Sequence, residues 1–182
     1  MKKLLLALTV LMVSSTLCAQ ENTEKSESKT VEFMSSCGTL LKKEFYNLEK
    51  VKGIENQVLI LTDLKTGEKV GCMRLTTEYG SGMNTTSYTG TLDFDELDAC
   101  IQSLTYIREQ LLPTTPETYT EALFKTRDKL EFGAFWSSDK WKAYVQTKGY
   151  TTHSIEFMAT YDLFILIKVM KEAQSIISEK TR

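Results

Sequence analysis

The sequence has little of the chemistry on which metalloproteins and most hydrolases depend. Among its 182 residues it has one histidine, His153, two prolines, and four cysteines that form no Cys-x-x-Cys pair. Transition-metal sites need clustered Cys and His ligands, and nucleophilic catalysis needs a nucleophile, a base and an orienting group. We therefore expect no bound metal, no cofactor and no catalytic residue, and this pattern favours a binding or structural protein over an enzyme.

Long apolar runs are also scarce, and the longest one lies at the N-terminus. Residues 4–13 are almost entirely apolar, follow two lysines, and precede a stretch that ends at Ala19-Gln20. A positive start, a short apolar core and a small-residue junction are typical of a secretory signal peptide. A transmembrane helix needs about 20 apolar residues, which this core does not have. We predict a signal peptide over residues 1–19, and its junction resembles those common in Bacteroidetes.

Export predicts the periplasm or the cell surface as the location of the mature protein. Lipid anchoring at Cys18 is the alternative to cleavage after Ala19, although the lipidation motif requires a small residue where Leu17 stands. Residues 20–32 are polar and charged without apolar periodicity, and we interpret them as a disordered spacer. No later segment is apolar for long enough to span a membrane.

Positive charge is not in excess. The chain has 22 basic and 24 acidic residues, and removing residues 1–19 takes away two lysines, which leaves a net charge of −4. Proteins that bind nucleic-acid backbones need clustered Lys and Arg, so this balance disfavours nucleic acid as the partner.

Three cysteines remain after the predicted cleavage. Cys100 lies within an apolar helical pattern, which predicts a buried free thiol. Cys37 and Cys72 flank the first predicted strands and form a candidate disulfide in an oxidising compartment. Two free thiols are the alternative, because the sequence does not give the distance between the two Cα atoms.

Residues 33–112 predict short strands followed by a helix. Residues 39–48, 58–61 and 69–77 have strand-like composition, a hairpin turn is expected at 62–68, and residues 79–90 read as a flexible loop. Asp93 and Glu96 match a capping box at the start of the helix. Apolar residues at helical spacing then follow: Leu97, Ile101, Leu104, Ile107 and Leu111.

After a linker at residues 113–118, residues 119–182 repeat this plan. Four strands are predicted at 119–126, 130–137, 140–147 and 153–159, with a helix at about 161–178. The helix begins with apolar residues on nearly every side, which indicates burial on more than one face, between the halves or in a homodimer. We predict an α+β fold of two ββββα-like repeats, in which antiparallel sheets each pack against a helix.

This element order resembles the duplicated ββββα topology of PUR-type and Whirly-type single-stranded nucleic-acid-binding proteins. The resemblance covers most of the chain after residue 33 but consists of topology alone, so it transfers no functional residue. The basic binding surfaces of that family are not evident in this sequence.

Two small clusters of residues each have a structural and a functional interpretation. Asp93, Asp95, Glu96 and Asp98 are a candidate carboxylate-based hydrolase site, or simply the cap of a helix. His153 with Cys37 is a candidate nucleophile and base, or an ordinary strand-edge histidine and thiol. In both cases the sequence favours the structural interpretation.

The aromatic residues around the predicted hairpin tip at residues 137–140 are the main candidate for a contact surface. Phe135, Trp136, Trp141 and Tyr144 lie close together, and a polar hairpin tip separates the two tryptophans. Rings beside polar groups suit contacts with sugars, bases or a partner protein, although some of these rings must belong to the core.

The sequence therefore predicts an exported, non-enzymatic binding or assembly protein. Its expected partner is another envelope protein or a second copy of itself. Binding of a glycan or of single-stranded nucleic acid by aromatic stacking is the alternative function.

The signal-peptide prediction can be tested by expressing the full chain in a bacterium and determining the N-terminus of the mature protein by mass spectrometry. We expect the mature chain to begin at Gln20 in the wild type and in Cys18→Ser. Leu6→Arg should stay unprocessed in the cytoplasm, because it interrupts the apolar core. An acylated Cys18 at the mature N-terminus would contradict cleavage after Ala19.

Overall fold

The computed structural model describes residues 27–36 and 38–182, so the predicted signal peptide and the first part of the predicted spacer lie outside the described residues. The described residues form the helices α1 (Lys29–Ser35), α2 (Phe94–Tyr106) and α3 (Thr160–Lys180) and the strands β1 (Leu41–Asn47), β2 (Glu55–Asp63), β3 (Lys69–Tyr79), β4 (Thr86–Asp93), β5 (Thr120–Lys125), β6 (Glu131–Ser137), β7 (Lys140–Gln146) and β8 (Ile155–Met158).

The strands form two four-stranded antiparallel sheets with sequential order. The first sheet is β1-β2-β3-β4, the second is β5-β6-β7-β8, and a long helix follows each of them. The prediction of an α+β fold with two ββββα-like units is confirmed. Short hairpins suffice for these connections because neighbouring strands run antiparallel.

The two units share one hydrophobic core. Helix α3 follows the second sheet in the chain, yet it packs against β2 and β3 of the first sheet and against α2. A single cluster of buried side chains joins the inner faces of both sheets to the two helices, from Val58 and Leu75 to Phe132 and Leu166. Leu163, Leu166 and Ile167 at the start of α3 are therefore buried between the halves, whereas Phe164 is 47% exposed, so the prediction of burial on more than one face is correct for only part of this apolar run.

The two sheets also meet directly at one edge. The hydroxyl groups of Thr77 and Thr147 are 2.7 Å apart in a buried hydrogen bond between the sheets. A Cβ atom at Gly90 would lie 2.6 Å from the carbonyl oxygen of Thr147, so no residue larger than glycine fits without a shift of the backbone. Asp128 adds a further link by accepting hydrogen bonds from the amide and the hydroxyl of Thr91, each at 2.9 Å.

The loop prediction for residues 79–90 is wrong in its second half, where β4 begins at Thr86. This strand pairs with β3, and the hydroxyls of Thr76 and Thr89 form a cross-strand hydrogen bond of 2.8 Å. The segment is rich in Ser, Thr and Gly because its outer side chains are not covered by apolar groups. Its β-branched threonines favour a strand once β3 is available as a partner.

The spacer prediction for residues 20–32 is wrong over residues 29–32, which belong to helix α1. Phe33 and Met34 of this helix cover an apolar patch on the outer face of the first sheet, formed by Leu59, Leu61 and Cys72. A seven-residue helix is too short to be stable alone in water, so contact with the sheet stabilises it. Residue-by-residue polarity could not reveal this contact.

The capping box predicted at the start of α2 is present. Asp93 is the N-cap residue, and its backbone amide donates a 3.3 Å hydrogen bond to the carboxylate of Glu96. After Tyr106 the helix widens into a π-helical turn over Ile107–Leu111, immediately before the linker.

The shared core makes a testable prediction about cooperativity. Both tryptophans lie in the second half, whereas Leu75 is fully buried in β3 of the first half. We expect Leu75→Ala to lower the free energy of unfolding by about 2–5 kcal/mol, as is usual for truncation of a buried leucine. Urea unfolding should show this loss with both probes: the transition measured by tryptophan fluorescence and the one measured by far-UV circular dichroism should shift by the same amount.

Leu40→Ala is the matched control, because Leu40 is exposed and its truncation should change stability by no more than about 0.5 kcal/mol. A Leu75→Ala variant with an unchanged fluorescence transition would show that the halves unfold independently.

Candidate contact surface

The structure divides the four predicted contact residues between the two faces of the second sheet. Side chains of a strand alternate between faces. Phe135 and Tyr144 therefore point outward, whereas Trp136 and Trp141, which are cross-strand partners, point towards the inner side. The four rings do not form one continuous surface.

The tryptophan pair holds the linker against the second sheet. The two rings make an edge-to-face contact with their centroids 5.8 Å apart, and Trp141 packs partly against the shared core. The indole Nε1 of Trp141 donates a 2.9 Å hydrogen bond to the carbonyl oxygen of Thr114 in the linker. A buried tryptophan usually satisfies its N–H in this way, so the pair has a structural role in this fold.

The outer face of the second sheet carries a connected group of aromatic rings, which we call the aromatic face. The Phe135 ring lies 6.4 Å from Tyr119, 6.1 Å from Tyr144 and 6.4 Å from Phe157, measured between centroids. The side chains of Tyr119 and Phe157 are 66% and 50% exposed, and that of Leu123 on the same face is 49% exposed. No described segment covers this face, in contrast to the patch that α1 covers on the first sheet.

Gly133 at the centre of the aromatic face allows the Tyr144 ring to lie close to the backbone. A Cβ atom at Gly133 would approach both Cζ and the hydroxyl oxygen of Tyr144 to 2.8 Å. The Tyr144 hydroxyl donates a 3.0 Å hydrogen bond to Glu121, and Tyr119 donates another of 3.1 Å to the same carboxylate. Burial and then the hydrogen bond to Glu121 raise the pKa of Tyr144, so its hydroxyl stays protonated at neutral pH.

The rings of the aromatic face are engaged with one another and with a lysine. The ammonium group of Lys142 lies 5.5 Å from the centroid of Phe135, in the geometry of a cation–π contact. Tyr144 is almost fully buried beneath its neighbours. Of the four residues predicted from the sequence, none therefore presents a free, fully exposed ring face, which is what stacking on a sugar or a base requires.

Sequence reasoning missed Tyr119, Leu123 and Phe157 as members of this face. Tyr119 and Phe157 lie at the ends of their strands, and Leu123 stands in the apolar run Ala122-Leu123-Phe124. Such a run does not show which side chain is buried. Side chains alternate along β5, so Tyr119 and Leu123 lie on the same face as Glu121. Glu121 is the cross-strand partner of Phe135, which places all of them on the outer face.

The acidic cluster makes structural contacts. The carboxylate of Asp93 is buried and accepts hydrogen bonds from the hydroxyl of Ser28 and from the amides of Lys29 and Thr30, at 2.9, 2.8 and 3.2 Å. The carboxylate therefore caps the N-terminus of α1, and because Asp93 is also the N-cap residue of α2, it joins the two helices.

Arg127, in the turn between β5 and β6, neutralises the same cluster. Its guanidinium contacts Asp93 at 3.1 Å and Glu96 at 3.5 Å and makes an ion pair with Asp95. Burial alone would raise the pKa of Asp95, but its hydrogen bonds to Arg127 and Lys29 lower it below the usual value. A glycoside hydrolase needs a carboxyl group that stays protonated, so this arrangement favours the structural interpretation.

The remaining reactive groups are separated from one another or buried. The His153 ring stacks on Tyr79 with the centroids 4.0 Å apart. Burial raises the pKa of the Cys72 thiol to about 12 and that of Cys100 well above its usual value, so neither is a thiolate at neutral pH. Both are free thiols. Cys37 lies outside the described residues, and the predicted disulfide between Cys37 and Cys72 is not formed, because Cys72 is a free thiol.

Comparison of the chain with protein-family models, with curated protein sequences and with solved structures gave no match. Among the residues that the structure describes, no group of three or more His, Cys, Asp or Glu side chains is placed to hold a metal ion. None of the helices within this part of the chain is both long and apolar enough to cross a lipid bilayer. The interpretation of the candidate contact surface therefore depends on its geometry alone.

The double capping role of Asp93 predicts a large effect of a small substitution. Asp93→Asn keeps the shape of the side chain but loses the charge that accepts hydrogen bonds from α1 and pairs with Arg127. We expect the free energy of unfolding to fall by about 1–3 kcal/mol, the usual cost of leaving such buried groups poorly paired. Amide hydrogen exchange in Lys29–Ser35 should become faster.

Asp98→Asn is the control for this experiment, because Asp98 belongs to the same cluster but is exposed and bonds Gln102 within α2. Equal stability and equal exchange in the two variants would show that Asp93 does not hold α1.

Proposed function

We propose that this chain is an exported, non-enzymatic assembly protein that associates with a second copy of itself through the aromatic face. The observation that carries the proposal is the uncovered apolar group on the second sheet, where Tyr119, Leu123 and Phe157 are 66%, 49% and 50% exposed. Contiguous exposed apolar surface on a folded protein commonly marks an interaction site.

The charges on the aromatic face support a second copy as the partner. Glu121, Phe135 and Lys142 stand in one row across β5, β6 and β7, with the acid and the base on opposite sides of the ring. A two-fold axis along β6 through Phe135 would place Glu121 of each copy over Lys142 of the other. A contact with two-fold symmetry needs a self-complementary patch, and this row has that property.

The size of the face predicts a weak association. The four strands are 4 to 7 residues long, and at a spacing of about 4.8 Å they present roughly 400 Å² per copy. Stable interfaces bury about 800 Å² per partner, so we expect dissociation at low micromolar concentrations. Assembly would then depend on the local concentration in the compartment where the protein accumulates.

Binding by aromatic stacking has less support than a protein contact. The Phe135 ring is contacted by Lys142, and Tyr144 is buried. Trp136 and Trp141 contact each other and the linker on the other face. An apolar protein surface needs no free ring face, whereas a sugar or a base does.

Export is supported by the pattern of residues 1–19, which combines two lysines, a short apolar core and the Ala19-Gln20 junction. We propose the periplasm or the cell surface as the location. A concentrated envelope compartment suits a protein whose self-association is weak.

Sedimentation equilibrium between about 10 and about 500 µM would test the contact, a range that covers weak interfaces. We expect a reversible monomer–dimer equilibrium in the wild type, and a monomer at all concentrations for Phe157→Glu. Phe45→Glu is the matched control, because Phe45 is 49% exposed on the first sheet and its replacement should leave the dimer intact.

The two-fold register has its own test by charge exchange. Glu121→Lys and Lys142→Glu should each weaken the dimer at least about tenfold, because like charges would then face each other. The double variant should restore association, since it recreates both pairs in reverse. A monomeric wild type, or a double variant as weak as the singles, would overturn this proposal. Far-UV circular dichroism verifies that each variant is folded.

A further inference from the structure

The first sheet has an outer groove that is lined by both apolar and cationic side chains. Val31 and Met34 of α1 line it, and Leu59 of β2 is buried beneath Met34. Arg74 of β3 lines the same groove, as does Lys148, which follows β7 in the chain. The groove is therefore amphipathic.

Arg74 is held in place but has no acidic partner among the residues that the structure describes. Its guanidinium lies over the Phe45 ring at 5.3 Å from the centroid and donates a 3.2 Å hydrogen bond to the side-chain oxygen of Gln57. No described carboxylate lies within 4.0 Å of it, whereas Arg127 contacts three and Arg108 contacts Glu109. A guanidinium has five N–H donors, so most of them are free to bind an anion.

The other charged groups of the groove leave it positive. Lys148 contacts Asp128 at 3.3 Å, and Asp128 also accepts two hydrogen bonds from Thr91. This pair is neutral as a unit, and the Asp128 carboxylate is already occupied by its own donors. Lys43 of β1 is exposed nearer the other end of the groove, level with Leu61, and adds a second positive charge to its lining. The local excess of cations contrasts with the acidic balance of the whole chain.

The groove also offers hydroxyl groups beside the guanidinium. Thr89 lies on the same face of the sheet as Arg74, and its hydroxyl pairs with that of Thr76 at 2.8 Å. A hydroxyl can donate to an anion while it accepts from a neighbour. These groups extend the donor set without adding a negative charge.

We infer that this groove binds an organic anion with an apolar tail. The carboxylate would pair with the fork of Arg74, which matches carboxylate geometry, and the tail would lie along the partly exposed side chains of Val31 and Met34 on α1. Charge complementarity selects the anionic head, and the apolar wall selects the tail. The site lies on the first sheet and is independent of the aromatic face and of self-association.

Octanoate is a suitable probe. Acetate, which has the carboxylate but not the tail, and octanol, which has the tail but not the charge, are the two comparison compounds. In isothermal titration and in amide chemical-shift mapping, we expect octanoate to bind in the low millimolar range, as a ligand of this size can. Acetate and octanol should each bind at least about tenfold more weakly. The shifts should fall on β3, β4 and α1, and not on the aromatic face of the second sheet.

Arg74→Gln should weaken octanoate binding at least about tenfold, and Arg74→Lys should restore part of it, because lysine keeps the charge but not the fork. Arg182→Gln removes the same charge at the C-terminus and should leave binding unchanged. Absence of octanoate binding, equal binding of acetate, or unchanged binding by a folded Arg74→Gln variant would each overturn the inference.

Discussion

The apolar contact between helix α3 and the first sheet is the interaction on which the rest of the structure depends. The helix belongs to the second half by sequence, but seven of its side chains are buried, and it packs against β2 and β3 of the first half. Separating the halves would return this apolar surface to water, at a cost comparable to the whole stability of a small domain. The repeat therefore does not divide the chain into two independent domains. It forms one core with a sheet on each side.

This arrangement leaves the outer faces of the two sheets with different chemistry. The first sheet uses α1 to cover its outer apolar patch, and Asp93 fixes that helix by its buried carboxylate. What remains uncovered there is a polar surface around Arg74. The second sheet has no such helix among the described residues, so Leu123 and Phe157 remain exposed. An uncovered apolar face and an arginine with no acidic partner among the described residues are the two features that packing leaves unexplained, and the two proposals rest on them.

Local patterns predicted those elements whose signals lie within a few residues. Asp93 and Glu96 marked the start of α2 because a capping box joins residues three apart. The turn before β3 was predicted for the same reason, since Asp63 accepts a hydrogen bond from the amide of Lys65 at 2.7 Å. Helix α1 was missed because its stability comes from Asp93, more than sixty residues away in the chain. Strand β4 was missed because its threonines are polar, and only the pairing with β3 makes them a strand.

The same division holds for the contact surface. Phe135 and Trp136 were predicted to point to opposite faces, because neighbouring side chains in a strand always do. The order of the elements other than α1 and β4, and the apolar character of α3, were also readable in the sequence. Which face of the second sheet meets the core, and so which aromatic rings are exposed, follows from the tertiary packing alone. That choice depends on where α2 and α3 pack, and their packing depends on apolar surfaces contributed by both halves of the chain. No local pattern contains that information, because hydrophobic burial has no preferred direction along the chain.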